Sequence, residues 1–97
     1  MERPPIHLVL LFFAQARERA GCATATLALP DGSTVADAAR AIAAAYPALA
    51  PLWPHLVIAM DGQIVRDGVP VRDGAELALL PPVSGGAGVG GRGRVDG

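Results

Sequence analysis

The part of this chain best suited to chemistry is a stretch of backbone rather than a set of side chains. From Leu79 to Gly86 the sequence reads LLPPVSGG, in which apolar residues that read as the end of a strand run into a proline pair and then two glycines. Proline fixes the backbone near one extended conformation, so Pro81 and Pro82 stiffen the segment. Fully extended, Pro81 to Gly86 reaches roughly 20 Å at about 3.3 to 3.6 Å per residue. Gly85 and Gly86 have no side chain to clash and accept backbone angles closed to other residues. Such a tip can enter a narrow channel and deliver a carboxyl group carried by Gly86 into another protein's active site. The competing reading is that Gly85-Gly86 opens a low-complexity linker, and composition alone favours it.

Side-chain chemistry has little to work with. No nucleophile, base and orienting group are grouped by a recognisable motif, and Gly85 to Gly91 follows the last strand and precedes no helix, which argues against a phosphate-binding loop. The single cysteine, Cys22, excludes an internal disulfide and a CxxC site, and reads as a small, part-buried residue at the start of a strand. His7 and His55 are far apart in sequence with no third ligand in sight, so both read as structural or exposed and no metal site is expected. All eight basic residues are Arg, and nine acidic residues bring the formal charge to -1. That balance gives no electrostatic reason to expect nucleic acid or a membrane surface as partner.

The elements that must position the tail follow from the pattern. Ile6 to Phe13 is a continuous apolar run rich in strand formers, which fits a strand in the middle of a sheet, buried on both faces. Arg3 before it and Ala14-Gln15-Ala16 after it raise a secretory signal as an alternative. The run is well short of the roughly 20 residues of a membrane span, however, and cleavage there would remove the first core strand. A cytoplasmic protein is therefore expected. Ala14 to Ala20 has helical composition and stops at Gly21, and Ala23 to Leu29 reads as a second strand entering the turn Pro30-Asp31-Gly32.

The best helix signal comes next, with Ser33 or Thr34 as cap and Asp37 in capping-box position. Val35, Ala39, Ile42 and Tyr46 fall on one face, and Pro47 ends the helix. Tyr46 and Trp53 read as core or core-edge packing. Leu56 to Met60, Ile64-Val65 and Glu76 to Leu80 read as three more strands, separated by Asp-Gly turns. The order implies one α+β domain, a mixed sheet with one main helix packed on one face. From Ser84 to Gly97 there are seven glycines, two arginines and almost nothing to bury, so this end is expected to be flexible.

LPPVSGG at Leu80 to Gly86 resembles the C-terminal signature of the small, sulfur-carrying subunit of molybdopterin synthase. LFFAQARERAG at Leu11 to Gly21 looks like the same family's first strand and following turn. Between them LPDGSTVADAARAI, IAMDGQIV and VRDGAELALLPPV fall in the family's order, so the resemblance covers residues 6 to 86. It implies a ubiquitin-like β-grasp domain over residues 1–86, followed by a Gly-rich extension over 87–97. It also implies that Gly86, preceded by Gly85, is the working residue: a partner resembling a ubiquitin-activating enzyme uses ATP to adenylate the terminal glycine carboxylate, and a sulfurtransferase converts the adenylate to a thiocarboxylate. The carrier itself is then expected to bind no cofactor and to be a non-catalytic sulfur donor.

The implied acceptor is cyclic pyranopterin monophosphate held by the synthase large subunit. Phe13 and Leu80 match family residues of an apolar docking surface, Arg17 matches a basic residue at its edge, and Pro81, Pro82 and Val83 belong to the segment that enters the partner. One departure matters: eleven residues, Ala87 to Gly97, follow Gly86. While they are attached, Gly86 has no free carboxyl group. Trimming by a processing peptidase is the preferred explanation, over a linker to a fused large subunit and over loss of the carrier role. A carrier for thiamin, cysteine or tRNA thiolation is the alternative within the class, and a ubiquitin-like modifier or binding module is the alternative outside it.

Overall fold

In the computed structural model, which describes residues 3–81, a five-stranded mixed sheet is covered on one side by helices. The strands are β1 (Ile6–Phe12), β2 (Thr24–Leu29), β3 (Val57–Met60), β4 (Gln63–Ile64) and β5 (Glu76–Leu80), in spatial order β2-β1-β5-β3-β4. The chain enters at β1, makes the short helix α1 (Ala14–Ala20), and returns antiparallel along β2. The main helix α2 (Val35–Ala45) crosses to the other half of the sheet. The two terminal strands lie side by side and parallel, with Leu11 opposite Ala78 and Phe12 opposite Leu79, as the ubiquitin-like reading requires. Pro82, Val83, Gly85, Gly86 and the extension 87–97 lie outside the described residues.

Local chemistry sets the main helix. Thr34 accepts a hydrogen bond from the Asp37 amide at 3.3 Å, and the Asp37 carboxylate accepts one from the Thr34 amide at 2.9 Å, closing a capping box. Two more first-turn donors are satisfied from outside the helix, Val35 N–H by the Val69 carbonyl and Ala36 N–H by the Asp67 carbonyl. Ser33 instead folds its hydroxyl onto the Pro30 carbonyl and is buried in the turn. At the other end Tyr46 caps the helix, and Pro47 opens a 3-10 turn at Pro47–Leu49, followed by a second at Trp53–His55. These two turns carry Leu49 into the core, where it is fully buried.

The core lies between the helices and the inner sheet face: Leu8, Leu10 and Phe12 of β1, Leu77 and Leu79 of β5, Val35, Ala38 and Ile42 of α2, and Ala16 of α1. The Phe12 and Tyr46 rings meet edge to face with centroids 5.1 Å apart. Cys22 is half-buried next to Tyr46, whose hydroxyl is pushed up from its usual range first by burial and then by that thiol.

Two expectations need correction. Ala38 rather than Ala39 is the fully buried residue at the middle of α2, because the face that meets the sheet runs 35, 38, 42. Ala39 lies a further 100° around the helix, is half-buried, and lines a cavity together with Trp53 and Val65. The larger correction concerns β1. It does lie inside the sheet, but only Ile6, Leu8, Leu10 and Phe12 are buried, while His7 and Val9 are exposed and Leu11 is half-exposed. All the described helices pack on one face of the sheet, which leaves the other face bare of any described element.

Candidate functional site

The bare face is the candidate site. Its composition follows from strand alternation and register: residues opposite one another in paired strands project to the same side. Leu11 of β1, Ala78 of β5, Ala59 of β3 and Ile64 of β4 make one row across four strands. The next row toward the C-terminal end of β5 contains Leu80 and Val57, which face each other. Phe13 joins it. Its backbone is still extended, and its amide reaches the Leu79 carbonyl at 3.4 Å. The in-and-out alternation therefore continues past Phe12 and sets Phe13 beside Leu80.

Phe13 is 45% exposed, Val57 38%, Val9 36% and Ile64 74%. These side chains form a contiguous apolar surface on one face of a small domain rather than scattered exposure, which makes the face a candidate contact site. Ala14 sharpens its edge: with a left-handed backbone (φ 51°) it turns the chain abruptly into α1, so Phe13 stands at the corner. Arg17, one turn into α1, is exposed, and its amide reaches back to the Phe13 carbonyl. Glu76 and His7 supply polar groups at the opposite end of the face, where the His7 amide donates to Asp73 at 2.8 Å.

The structure thus gathers Phe13, Leu80, Pro81 and Arg17 at one corner of the open face. Leu80 and Pro81 are half-buried, and β5 ends there. The segment Pro82-Val83-Ser84-Gly85-Gly86 continues from this corner in sequence and lies outside the described residues. Sequence reasoning missed Val9, Leu11, Val57 and Ile64. The signal for them was present in β1, an apolar run with both phases of the alternation filled, but it read as burial on two faces.

Other chemistry finds no footing among the described residues. No group of three or more His, Cys, Asp or Glu is arranged to hold a metal ion. No described helix is long and apolar enough to cross a membrane. His7 and His55 are both exposed and stand on different elements.

Known proteins carry the same fold and much of the same sequence. The molybdopterin synthase sulfur carrier subunit of Chlamydomonas reinhardtii is 39% identical over 83 residues, which span 84% of this chain and 100% of that one. The Arabidopsis thaliana protein of the same name is 33% identical over 81 residues, spanning 84% of each chain. Small archaeal modifier protein 1 of Haloferax volcanii is 37% identical over 82 residues. The crystal structure of that archaeal protein superposes with a TM-score of 0.75 at 32% identity, covering 81% of this chain and 98% of the other. A putative molybdopterin converting factor subunit 1 from Pyrococcus furiosus, at 23% identity and a TM-score of 0.74, shares the fold. Residues 10–86 match the ThiS family, a span that runs from the middle of β1 through the Gly85-Gly86 pair, and this chain is therefore a β-grasp member of the ThiS family of sulfur carriers.

Proposed function

We propose that the chain is the sulfur-carrier subunit of a molybdopterin synthase, and that its working group is a thiocarboxylate on Gly86. The observation that carries this reading is the junction of the open apolar face with the end of β5. A partner gripping Phe13, Leu80 and Val57 holds the end of β5, from which the chain to Gly86 is long enough to reach roughly 20 Å if extended. The same surface serves the large subunit that holds cyclic pyranopterin monophosphate and the adenylating enzyme that resembles a ubiquitin-activating enzyme.

In the charging step a Gly86 carboxylate oxygen attacks the α-phosphorus of ATP and pyrophosphate leaves. Hydrosulfide, released from a sulfurtransferase persulfide by a thiol reductant, then adds to the acyl carbon, AMP leaves and the thioacid gives its proton to solvent, so the terminal group becomes C(=O)S⁻. The domain contributes no acid or base to either step. It docks, orients and delivers.

Both steps need a free carboxyl group on Gly86, so Ala87 to Gly97 must first be removed by a peptidase cutting after the glycine pair. Mass spectrometry tests this directly. With the adenylating enzyme, the sulfurtransferase, ATP and a sulfur source, a chain ending at Gly86 is expected to gain the mass of one oxygen-to-sulfur exchange, and the 97-residue chain to gain nothing until cut. Charging of the uncut chain at Gly97 overturns the assignment to Gly86.

A second reading is supported by the likeness to the archaeal modifier protein: the same terminus joined to lysines of target proteins. Isopeptide-linked Gly86 on cellular proteins would favour it over sulfur delivery.

A further inference from the structure

Among the described residues the sheet has two free edges. One is formed by β4, two residues long, and the other by β2, six residues long with the sequence TATLAL. Natural sheets usually guard a long edge with a charge, a proline or a bulge. Strand β2 has none of these: Ala23 to Leu29 contains no charged residue and no proline, and its register against β1 runs unbroken from Leu29 to Thr24.

The direction of the unused backbone groups follows from the ladder. Phe12 donates to the Ala23 carbonyl at 2.8 Å, so Phe12 and Ala23 form a hydrogen-bonded pair. Antiparallel ladders alternate, and Ala25, Leu27 and Leu29 therefore spend their amides and carbonyls on β1. Those of Thr24, Thr26 and Ala28 point off the edge. All three residues are exposed.

We infer that this edge pairs with the same edge of a second copy, β2 against β2 and antiparallel, to form a two-fold dimer with one continuous ten-stranded sheet. The outward set is self-complementary about its middle member. With Thr26 opposite the partner's Thr26, Thr24 falls opposite the partner's Ala28 and Ala28 opposite the partner's Thr24. Each of these pairs exchanges two N–H···O bonds.

Side chains agree with the register. On the helix side of the sheet, Ala25 falls opposite the partner's Leu27, and both are only half-buried in the single domain, so pairing removes more apolar surface from water. On the open side, the two threonines meet at the symmetry axis, a favourable cross-strand pair. No like charges are brought together along the strand.

The geometry also leaves the proposed carrier site clear. Strand β5 is parallel to β1 and two positions in from the β2 edge. A two-fold that sets the β2 strands antiparallel sends the two β5 ends out of opposite ends of the sheet, each beside its own Phe13.

Sedimentation of the full chain tests the inference, with amide hydrogen exchange to locate the contact. The expected result is a concentration-dependent species of twice the monomer mass, with Thr24, Thr26 and Ala28 amides exchanging freely when dilute and slowing when concentrated, while Ala25 and Leu27 amides stay protected throughout. Thr26→Pro removes an outward amide without costing a ladder bond to β1, and Thr26→Lys sets two like charges at the axis. Either is expected to raise the dissociation constant at least about tenfold, whereas Thr26→Val leaves it within about twofold. If the proline variant unfolds by circular dichroism, the lysine variant and the exchange pattern decide. A chain that stays monomeric to about 1 mM overturns the proposal, and so does a dimer that survives Thr26→Lys with the amide at position 26 still exchanging freely.

Discussion

Both faces of one sheet carry large apolar side chains, and the fates of those side chains are opposite. On the inner face Leu8, Leu10, Leu77 and Leu79 lie under the helices and are at most 1% exposed. On the outer face Val9, Phe13, Val57 and Ile64 are exposed between 36% and 74%. Hydrophobicity alone therefore does not decide burial. The described helices cover one face only, and in the proposed function the second face is the docking surface. A buried residue's neighbour in sequence can thus lie exposed on the opposite face.

Adjacent leucines at the end of β5 give the sharpest way to break this comparison. Leu79 is fully buried and Leu80 is half-exposed on the open side. Leu79→Ala is expected to destabilise the domain by about 2 to 5 kcal/mol in urea titrations, and Leu80→Ala by less than about 1.5 kcal/mol. Equal losses would mean that the two faces are not distinct.

Partner affinity should show the reverse order. Phe13→Asp and Leu80→Asp are expected to weaken binding to the synthase large subunit by at least about tenfold, close to 1.4 kcal/mol, with the circular dichroism of the free domain unchanged. If binding by calorimetry is unaltered, the open face is not the docking face. If the domain unfolds, the substituted residue belongs to the core.

The covered face also depends on the helix that covers it, and the capping box probes that dependence more gently. Thr34→Ala is expected to cost about 1 kcal/mol. Hydrogen bonding by the Thr34 amide, the largest cause, holds the Asp37 carboxyl below the ordinary value of 3.8. A depressed carboxylate contributes stability that is full above its unfolded pKa and is lost as pH falls through its folded one. Stability measured in urea should therefore decline below about pH 4, with a shallower decline in Asp37→Asn.

The smallest effect is expected at the rim, where Arg72 pairs with Asp61 and both side chains are at least a third exposed. Arg72→Gln should change stability by less than about 1 kcal/mol, and by less still in high salt. A larger change would show that Asp61, whose second oxygen accepts the Glu76 amide at 3.0 Å, needs the arginine to hold β3 against β5.

Much of this architecture was legible before any coordinates. Strand β5 begins and ends at the expected residues, and the other strands and both α-helices fall within a residue or two, while the two 3-10 turns were not expected. Those signals are local: turn residues, a capping box, a proline after a helix and runs of strand formers act over a few positions of chain. Likewise the LPPVSGG segment is legible as sequence, because its character lies in proline stiffness and the absence of side chains on two glycines. What only the tertiary structure decided is which apolar residues are left uncovered. Leu10 and Leu11 are the same residue type in the same strand, one at 1% exposure and the other half-exposed. Nothing local separates them. The difference arises because all the described helices pack on one side of the sheet, and because the register of β5 and β3 brings Leu80 and Val57, distant in sequence, into one row beside Phe13.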